Sequence, residues 1–319
     1  DWAQGDYYSG GGSGHVTAAD DQFVSVAAGL QARADQANLQ VRTHFSNDAA
    51  AGARAAKQAD LAVVVVGTTS GESYDRESLS LDPGCDDLVE AVLEANPNTV
   101  VVMLIPGATL TPWRAKLDRG ALMAVFMGGQ STGDAVAQLI FGDFGPTGRL
   151  PISMPASEAD AIAPSSASKV HYTEGLKVGY RGSPAVAYPF GHGLSYTTFD
   201  IGNAVVSPCA PSCACVSVDV TNSGKRAGVE IVQLYLEFPD QAQEPRSILK
   251  GFQQTGLLQP SQQATLTFEL TPRDCSTYTL ERSGWTQWPA GQLTAHLGTS
   301  SADLPLVVPL TAAGDSVVV

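Results

Sequence analysis

The chain has 319 residues, so a prior of about 150 residues per domain predicts two domains. Against 18 Lys and Arg stand 32 Asp and Glu, a formal charge of −14, which argues against a nucleic-acid or anionic-membrane surface because both need concentrated positive charge. Apolar residues make up 44% and charged ones only 16%, so the chain has enough apolar surface to fold, and no apolar run approaches the ~20 residues of a bilayer span; a soluble globular protein is expected.

At the N-terminus, Asp1-Trp2-Ala3-Gln4-Gly5-Asp6 has no initiator Met, basic region or apolar stretch, which reads as the middle of a longer protein or a processed product. Tyr8 to His15 is glycine-rich. A phosphate cradle would need a strand before it, and none precedes it here, so a loop bordering a pocket or a simple turn is the plainer reading. Leu61–Val66 and Val100–Ile105 are continuous apolar runs rich in β-branched residues, as in strands buried on both faces of a parallel sheet. Between them Pro83-Gly84 precedes a helical stretch with Leu88, Val89, Val92 and Leu93 on one face, ended at Asn96-Pro97. Ala121–Met127 reads as a further buried strand, and Ser131 to Phe141 as a helix stopped by Gly142. Residues 1–155 are therefore expected to form an α/β sandwich, a mostly parallel sheet with flanking helices.

Residues 156–200, rich in Pro, Ser and Gly, read as a connecting segment. From 201 the pattern changes to period two. Val216, Val218 and Val220 share a face, as do Val232, Leu234, Leu236 and Phe238; so do Leu266, Phe268 and Leu270, and Leu293, Ala295 and Leu297. Short alternating strands over 201–312 predict an antiparallel β-sandwich of immunoglobulin-like kind, with 313–319 as a tail. Five cysteines stand at 85, 209, 213, 215 and 275. Three crowd into Cys209 to Cys215. Zinc is one reading of that cluster, and a disulfide pinning a loop, with Cys275 as a partner, is the other. The disulfide reading favours a secreted, extracellular or lumenal protein. There is no Asn-X-Ser/Thr sequon to add to it.

The segment Gly67-Thr68-Thr69-Ser70-Gly71-Glu72-Ser73-Tyr74-Asp75-Arg76 follows a buried strand, which places Glu72 and Asp75 at a strand's C-terminal edge, where α/β folds bind ligands. A carboxylate there serves as a general acid if its surroundings raise its pKa; the plain alternative is a solvated Glu72 beside an ordinary Asp75–Arg76 ion pair. His15, His171, His192 and His296 have no metal-ligand spacing, and no Gly-X-Ser-X-Gly elbow stands at a strand end.

Several stretches, in order, carry a resemblance: Tyr7 to Val16; Ala95 to Val102; Gly128-Gly129-Gln130 through Gly142-Asp143; Pro146 to Pro151; Tyr172 to Arg181; Pro189-Phe190-Gly191-His192-Gly193-Leu194-Ser195-Tyr196-Thr197-Thr198-Phe199; and Val232 to Tyr235, Leu249 to Phe252 and Gly298 to Ser301. Together they resemble family 3 glycoside hydrolases of the β-glucosidase/β-xylosidase type, from the α/β sandwich through the fibronectin-III-like domain. The resemblance implies a retaining hydrolase. An Asp on a preceding (β/α)8 barrel attacks the anomeric carbon, and a Glu of the second domain protonates the leaving oxygen. Glu72 matches that acid/base position in the family's S-G-E-G-x-D-R form, with Ser73 where Gly is usual; Glu77 is a weaker candidate. Asp75 and Arg76 match a pair that braces the loop, and Tyr74, Gly12 and Ser13 are placed at the rim of the sugar site.

The resemblance thus implies a carbohydrate substrate, no cofactor and no metal. The partner it implies is the N-terminal barrel of the same precursor, in the same or a separate chain; a homo-oligomer is compatible with it. The opening strand of the second domain is missing from the expected order, and the nucleophile motif does not occur, Asp1-Trp2 standing at the wrong place. The leading expectation is hydrolysis of terminal β-D-glucosyl residues. The alternatives are a β-xylosidase and a non-catalytic carbohydrate-binding or structural protein of the same descent.

Overall fold

The computed structural model describes residues 6–17, 22–163, 165, 167–182, 185–245, 247–279, 283–310 and the backbone of 317–318; Asp1-Trp2 and most of the C-terminal stretch lie outside these residues. The chain divides into two compact units. One comprises Asp1–Phe144, Met154–Ile162 and Ala185–Ala187, the other Gly145–Ser153, Ala163–Pro184 and Tyr188–Val319.

In the first unit, three strands, β1 (Ala62–Gly67), β2 (Thr99–Ile105) and β3 (Ala121–Phe126), form a parallel sheet in sequence order. They form because β-branched runs tolerate burial on both faces, and β2, the central strand, is buried almost throughout. Four helices flank it: α1 (Val26–Gln36), α2 (Ala49–Ala56), α3 (Cys85–Ala95) and α4 (Thr132–Phe141). Val26 of α1 and Val136 of α4 pack on the sheet face that carries Val102 and Leu104. These two helices meet at glycines: a Cβ on Gly29 would strike the Gly133 carbonyl, and one on Gly133 the Ser25 carbonyl. Helix α3 lies against β1 and β2 and buries Leu88, Val89, Val92 and Leu93, the face expected from the sequence. It ends at Asn96, whose side chain donates to the carbonyls of Ala56 (3.0 Å) and Ala59 (2.8 Å). Gly142, in the left-handed region at φ +73°, ends α4 as its spacing predicts. A short ribbon of β4 (Met154–Pro155) and β5 (Val186–Tyr188) follows.

The second unit is antiparallel. One sheet has the order β10-β7-β6-β15, built from β6 (Phe199–Ser207), β7 (Ala214–Asn222), β10 (Gln263–Leu270) and β15 (Val317–Val318). The other has the order β14-β13-β8-β9, from β8 (Ile231–Glu237), β9 (Ile248–Gln254), β13 (Thr294–Gly298) and β14 (Leu306–Pro309). Strands β11 (Ser276–Thr279) and β12 (Gly284–Gln287) make a separate ribbon. Val216, Val218, Val220, Val232, Leu234, Leu236, Leu266, Phe268, Leu270, Leu293, Ala295 and Leu297 form one core, the alternating sets read from the sequence. Within the stretch read as a tail, Val317 and Val318 pair with β6. Cys209–Cys215 and Cys213–Cys275 are disulfides, so the three clustered thiols are all consumed and the zinc reading falls; Cys85 is free and buried in the other unit.

Candidate active site

Two loops converge at the C-terminal ends of the parallel strands. The first, Asp6 to His15, is a turn that its own side chains fix. Asp6 Oδ1 accepts the amides of Tyr8 and Ser9, both at 2.7 Å, and Asp6 Oδ2 accepts the Ser9 hydroxyl at 2.9 Å. Backbone bonds close Asp6 onto Gly10, and His15 Nδ1 lies 2.8 Å from the Gly10 carbonyl oxygen. The turn is tied to the sheet edge from two sides: Thr69 Oγ1 donates to the Asp6 carbonyl at 3.2 Å, and the Gly129 amide to the Tyr8 carbonyl at 2.9 Å. Tyr7 donates its hydroxyl to Asp82, and that bond, with partial burial, pushes its phenol pKa up to about 12. A cleft of about 360 Å³ opens beside this loop, with Tyr8, Phe23, Asp6, His15 and Gln130 among its walls; Glu72 is not one of them.

The second loop leaves β1 at Gly67 and carries Glu72 in a tight turn. Gly71 and Tyr74 exchange backbone bonds of 3.4 and 3.0 Å around it. Ser73 sits at φ +67°, a region that costs a side-chain-bearing residue about 1–2 kcal/mol and that glycine enters freely. Here the turn nevertheless forms with serine.

The contact between the loops is specific. Ser13 donates both its amide, at 2.9 Å, and its hydroxyl to Glu72 Oε2. Gly12, at φ +75°, lies under the Glu72 side chain, where a Cβ would meet the Glu72 Cβ and amide nitrogen. The structure thus brings Gly12 and Ser13 onto Glu72, which lies 59 residues beyond Ser13 in the sequence. Ser13 faces the carboxylate. Its hydroxyl and then its amide hold the Glu72 carboxyl below its ordinary pKa, burial opposing only weakly.

Tyr74, Asp75 and Glu77 are exposed. No ion pair joins Asp75 to Arg76 among the described residues, so the expected brace is Arg76 alone: its Nη2 donates to the Ala108 carbonyl at 2.9 Å, tying the loop to the segment after β2. Burial lowers the Arg76 pKa, with Glu158 opposing, and Nη1 is buried without a partner. The sequence reading missed Asp6 and Tyr7 as the anchors of the first loop. The signal for one of them is Asp6 two residues before Tyr8 at the start of a glycine-rich turn, the position from which an Asp side chain closes an Asx turn. Among the described residues no group of three or more His, Cys, Asp or Glu is gathered to hold a metal, and no helix is long and apolar enough to cross a membrane.

An exposed, hydrogen-bonded carboxylate at the end of a parallel strand can take up or release a proton. Comparison with known proteins supplies the context. The Glycosyl hydrolase family 3 C-terminal domain matches residues 1–196, and the Fibronectin type III-like domain matches residues 230–301. Thermostable beta-glucosidase B of Acetivibrio thermocellus is 33% identical over 94% of this chain, a match spanning 42% of that protein. Probable beta-glucosidase L of Neosartorya fischeri is 34% identical over 92% of this chain and 44% of its own length. The crystal structure of beta-D-glucoside glucohydrolase from Trichoderma reesei superposes with a TM-score of 0.87 at 30% identity, over 95% of this chain and 47% of that one. The chain spans less than half the length of these relatives. With residues 1–196 inside that C-terminal domain and its fold shared with the fungal enzyme over nearly all its length, the chain belongs to glycosyl hydrolase family 3.

Proposed function

We propose that this chain supplies the general acid/base, Glu72, of a retaining β-glycosidase that removes terminal β-D-glucosyl residues, the attacking Asp coming from a (β/α)8 barrel. The observation that carries the reading is the carboxylate itself. Glu72 stands exposed at the C-terminal edge of the sheet with Oε2 held by Ser13, while no hydrogen bond among the described residues reaches Oε1. The beta-glucosidases among its relatives support the sugar class.

Glu72 as it stands is a carboxylate at neutral pH, since the Ser13 bonds favour the charged form. A general acid has to begin protonated. Retention requires the two carboxyls about 5–5.5 Å apart, and closure onto a barrel would act on Glu72 in two ways. It would strip water from the carboxyl and bring a second negative charge beside it, and both raise its pKa. The proton is therefore held only when the cleft is closed, and it goes to the leaving oxygen as the nucleophile becomes covalently bound. With the nucleophile's charge then neutralised, Glu72 returns to carboxylate and activates water for the second step. Two disulfides in the second unit support an oxidising, extracellular or lumenal setting.

The isolated 319-residue chain is expected to leave aryl β-glucosides intact, and its assembly with the barrel to cleave them. In that assembly Glu72→Ala should slow cellobiose by at least about a hundredfold, and an activated aryl glucoside much less, because a good leaving group needs little protonation. Equal losses on both substrates, read as kcat/KM, would remove Glu72 from the role.

A further inference from the structure

We propose that Ser13 is a positioning residue for Glu72: its amide and hydroxyl together occupy Oε2, so that Oε1 is the oxygen that carries and delivers the catalytic proton. This rests on the acid/base reading of Glu72 and adds the part of the site that orients it. A carboxylate oxygen offers about two lone-pair positions, and two donors from a single residue fill those of Oε2. A proton on the carboxyl then has to sit on Oε1, which no described residue engages. The arrangement suits both protonation states. Oε2 accepts from Ser13 as the carbonyl oxygen of the acid and as one oxygen of the carboxylate, so no bond has to break as the proton leaves.

The donors are built in rather than incidental. On the N-terminal side of Ser13 the loop is closed by Asp6 on Tyr8, Ser9 and Gly10, and on the C-terminal side by His15 on Gly10. Gly12 presses against Glu72 where no Cβ fits, which fixes the approach of the Ser13 amide. A lone surface hydrogen bond would be worth little, but a donor pair held by its own loop presents itself without reorganisation as negative charge develops on the carboxyl. Both bonds strengthen in that direction, so the hydroxyl favours proton release in the transition state and keeps the resting carboxyl ionised.

The test compares Ser13→Ala, Ser13→Thr and Glu72→Gln in the active assembly with the barrel, with full pH profiles of kcat/KM on cellobiose and on an activated aryl glucoside. Ser13→Ala keeps the amide and loses the hydroxyl. The basic limb of its cellobiose profile should move to higher pH, its cellobiose kcat/KM should fall about tenfold, and the aryl substrate should be affected less. Ser13→Thr, which retains a hydroxyl, should restore both. A Ser13→Ala profile whose basic limb stays in place, or equal losses in the Ala and Thr variants at unchanged melting temperature, would overturn the role. The Glu72→Gln variant separates the two failures. If it retains cellobiose activity, the reading of Glu72 falls and Ser13 with it; if it loses cellobiose activity while the Ser13→Ala limb is unmoved, only the role of Ser13 falls.

Discussion

Gly12 shows what one missing side chain contributes. Its φ of +75° lies where an L-residue is strained by about 1–2 kcal/mol, and an added methyl would overlap the Cβ and amide of Glu72. Gly12→Ala therefore has to push one loop away from the other, carrying the Ser13 donors off Glu72 Oε2. The fold should survive, because the loop's other anchors, Asp6 and His15, are untouched, so the melting temperature should fall by only a few degrees. Activity with the barrel should drop on the order of a hundredfold on cellobiose, the usual cost of a displacement near 1 Å in a proton-transfer geometry. Wild-type activity in this variant would show that the contact is dispensable. The position of Glu72 after a buried strand is legible in the sequence. Its partnership with Ser13 is not, since nothing local to either residue names the other.

Among the elements, residues 145–153 and 188–200 are held by polar contacts within the second unit. Arg149 and Glu230 form an ion pair with side chains only 8% and 9% exposed. Glu230 also accepts the Ile231 amide at 2.7 Å, and its own amide donates to Thr255 at 3.0 Å. Such a buried pair is expensive to break from one side only. Gln233 bridges the carbonyls of Gly191 and Thr299, and Tyr235 donates to Gln233, so the Pro189-to-Tyr196 stretch is held by residues of β8. His192 lies in this region with its ring stacked on Tyr188, and burial, then the nearby Arg149 charge, lowers its pKa while Asp303 opposes.

Above about pH 6.5 His192 is neutral in both folded and unfolded chains and contributes no pH dependence. Below that the unfolded chain takes up the proton and the folded one resists, so stability falls as pH drops until the folded pKa is passed. The slope from this one group is at most about 1.4 kcal/mol per pH unit. Urea titrations of the second unit between pH 7 and 5 should show a shallower decline for His192→Asn than for the wild type. Parallel slopes would remove His192 as the cause. Of the elements themselves, the runs rich in large apolar residues are the ones the sequence shows. Helix α3 is legible because four large apolar residues repeat on one face, whereas α1 and α2 are not. Apart from Val26, their buried residues are alanine and glycine, which pack by close approach, as where Gly29 meets Gly133; Gly52 of α2 likewise lies under Leu88. Strand β6 is obscured by a shift of register between Gly202 and Val205, with Asn203 at φ +52°.

At the scale of the whole molecule, the two units are stabilised by different means. The first relies on a small parallel sheet and its helices, with Cys85 the free thiol in it. The second ties the start of β7 to the start of the β11–β12 ribbon with a disulfide between Cys213 and Cys275, 62 residues apart in sequence. Closing a loop of that length restricts the unfolded chain enough to contribute about 4 kcal/mol, and the six-residue separation of Cys209–Cys215 contributes less. A chain with Cys213→Ala and Cys275→Ala should accordingly lose about that much in the denaturant unfolding of the second unit, with the transition of the first unit unmoved. A loss shared by both transitions would mean that the units do not unfold independently.

By itself the sequence determined the kind of protein this is: a parallel α/β unit read from continuous β-branched runs, and an antiparallel sandwich read from alternating ones. It also put a carboxylate on the loop after the first strand. These are properties of neighbouring residues, because periodicity and turn chemistry act over a few positions. Only the tertiary structure decided which cysteines pair, that Arg76 braces the loop through Ala108 without Asp75, and that Ser13 holds Glu72. Each of these contacts closes a loop of tens of residues. Its geometry exists only after the sheet has placed distant turns at one edge, where hydrogen bonds a few ångströms long can choose among them.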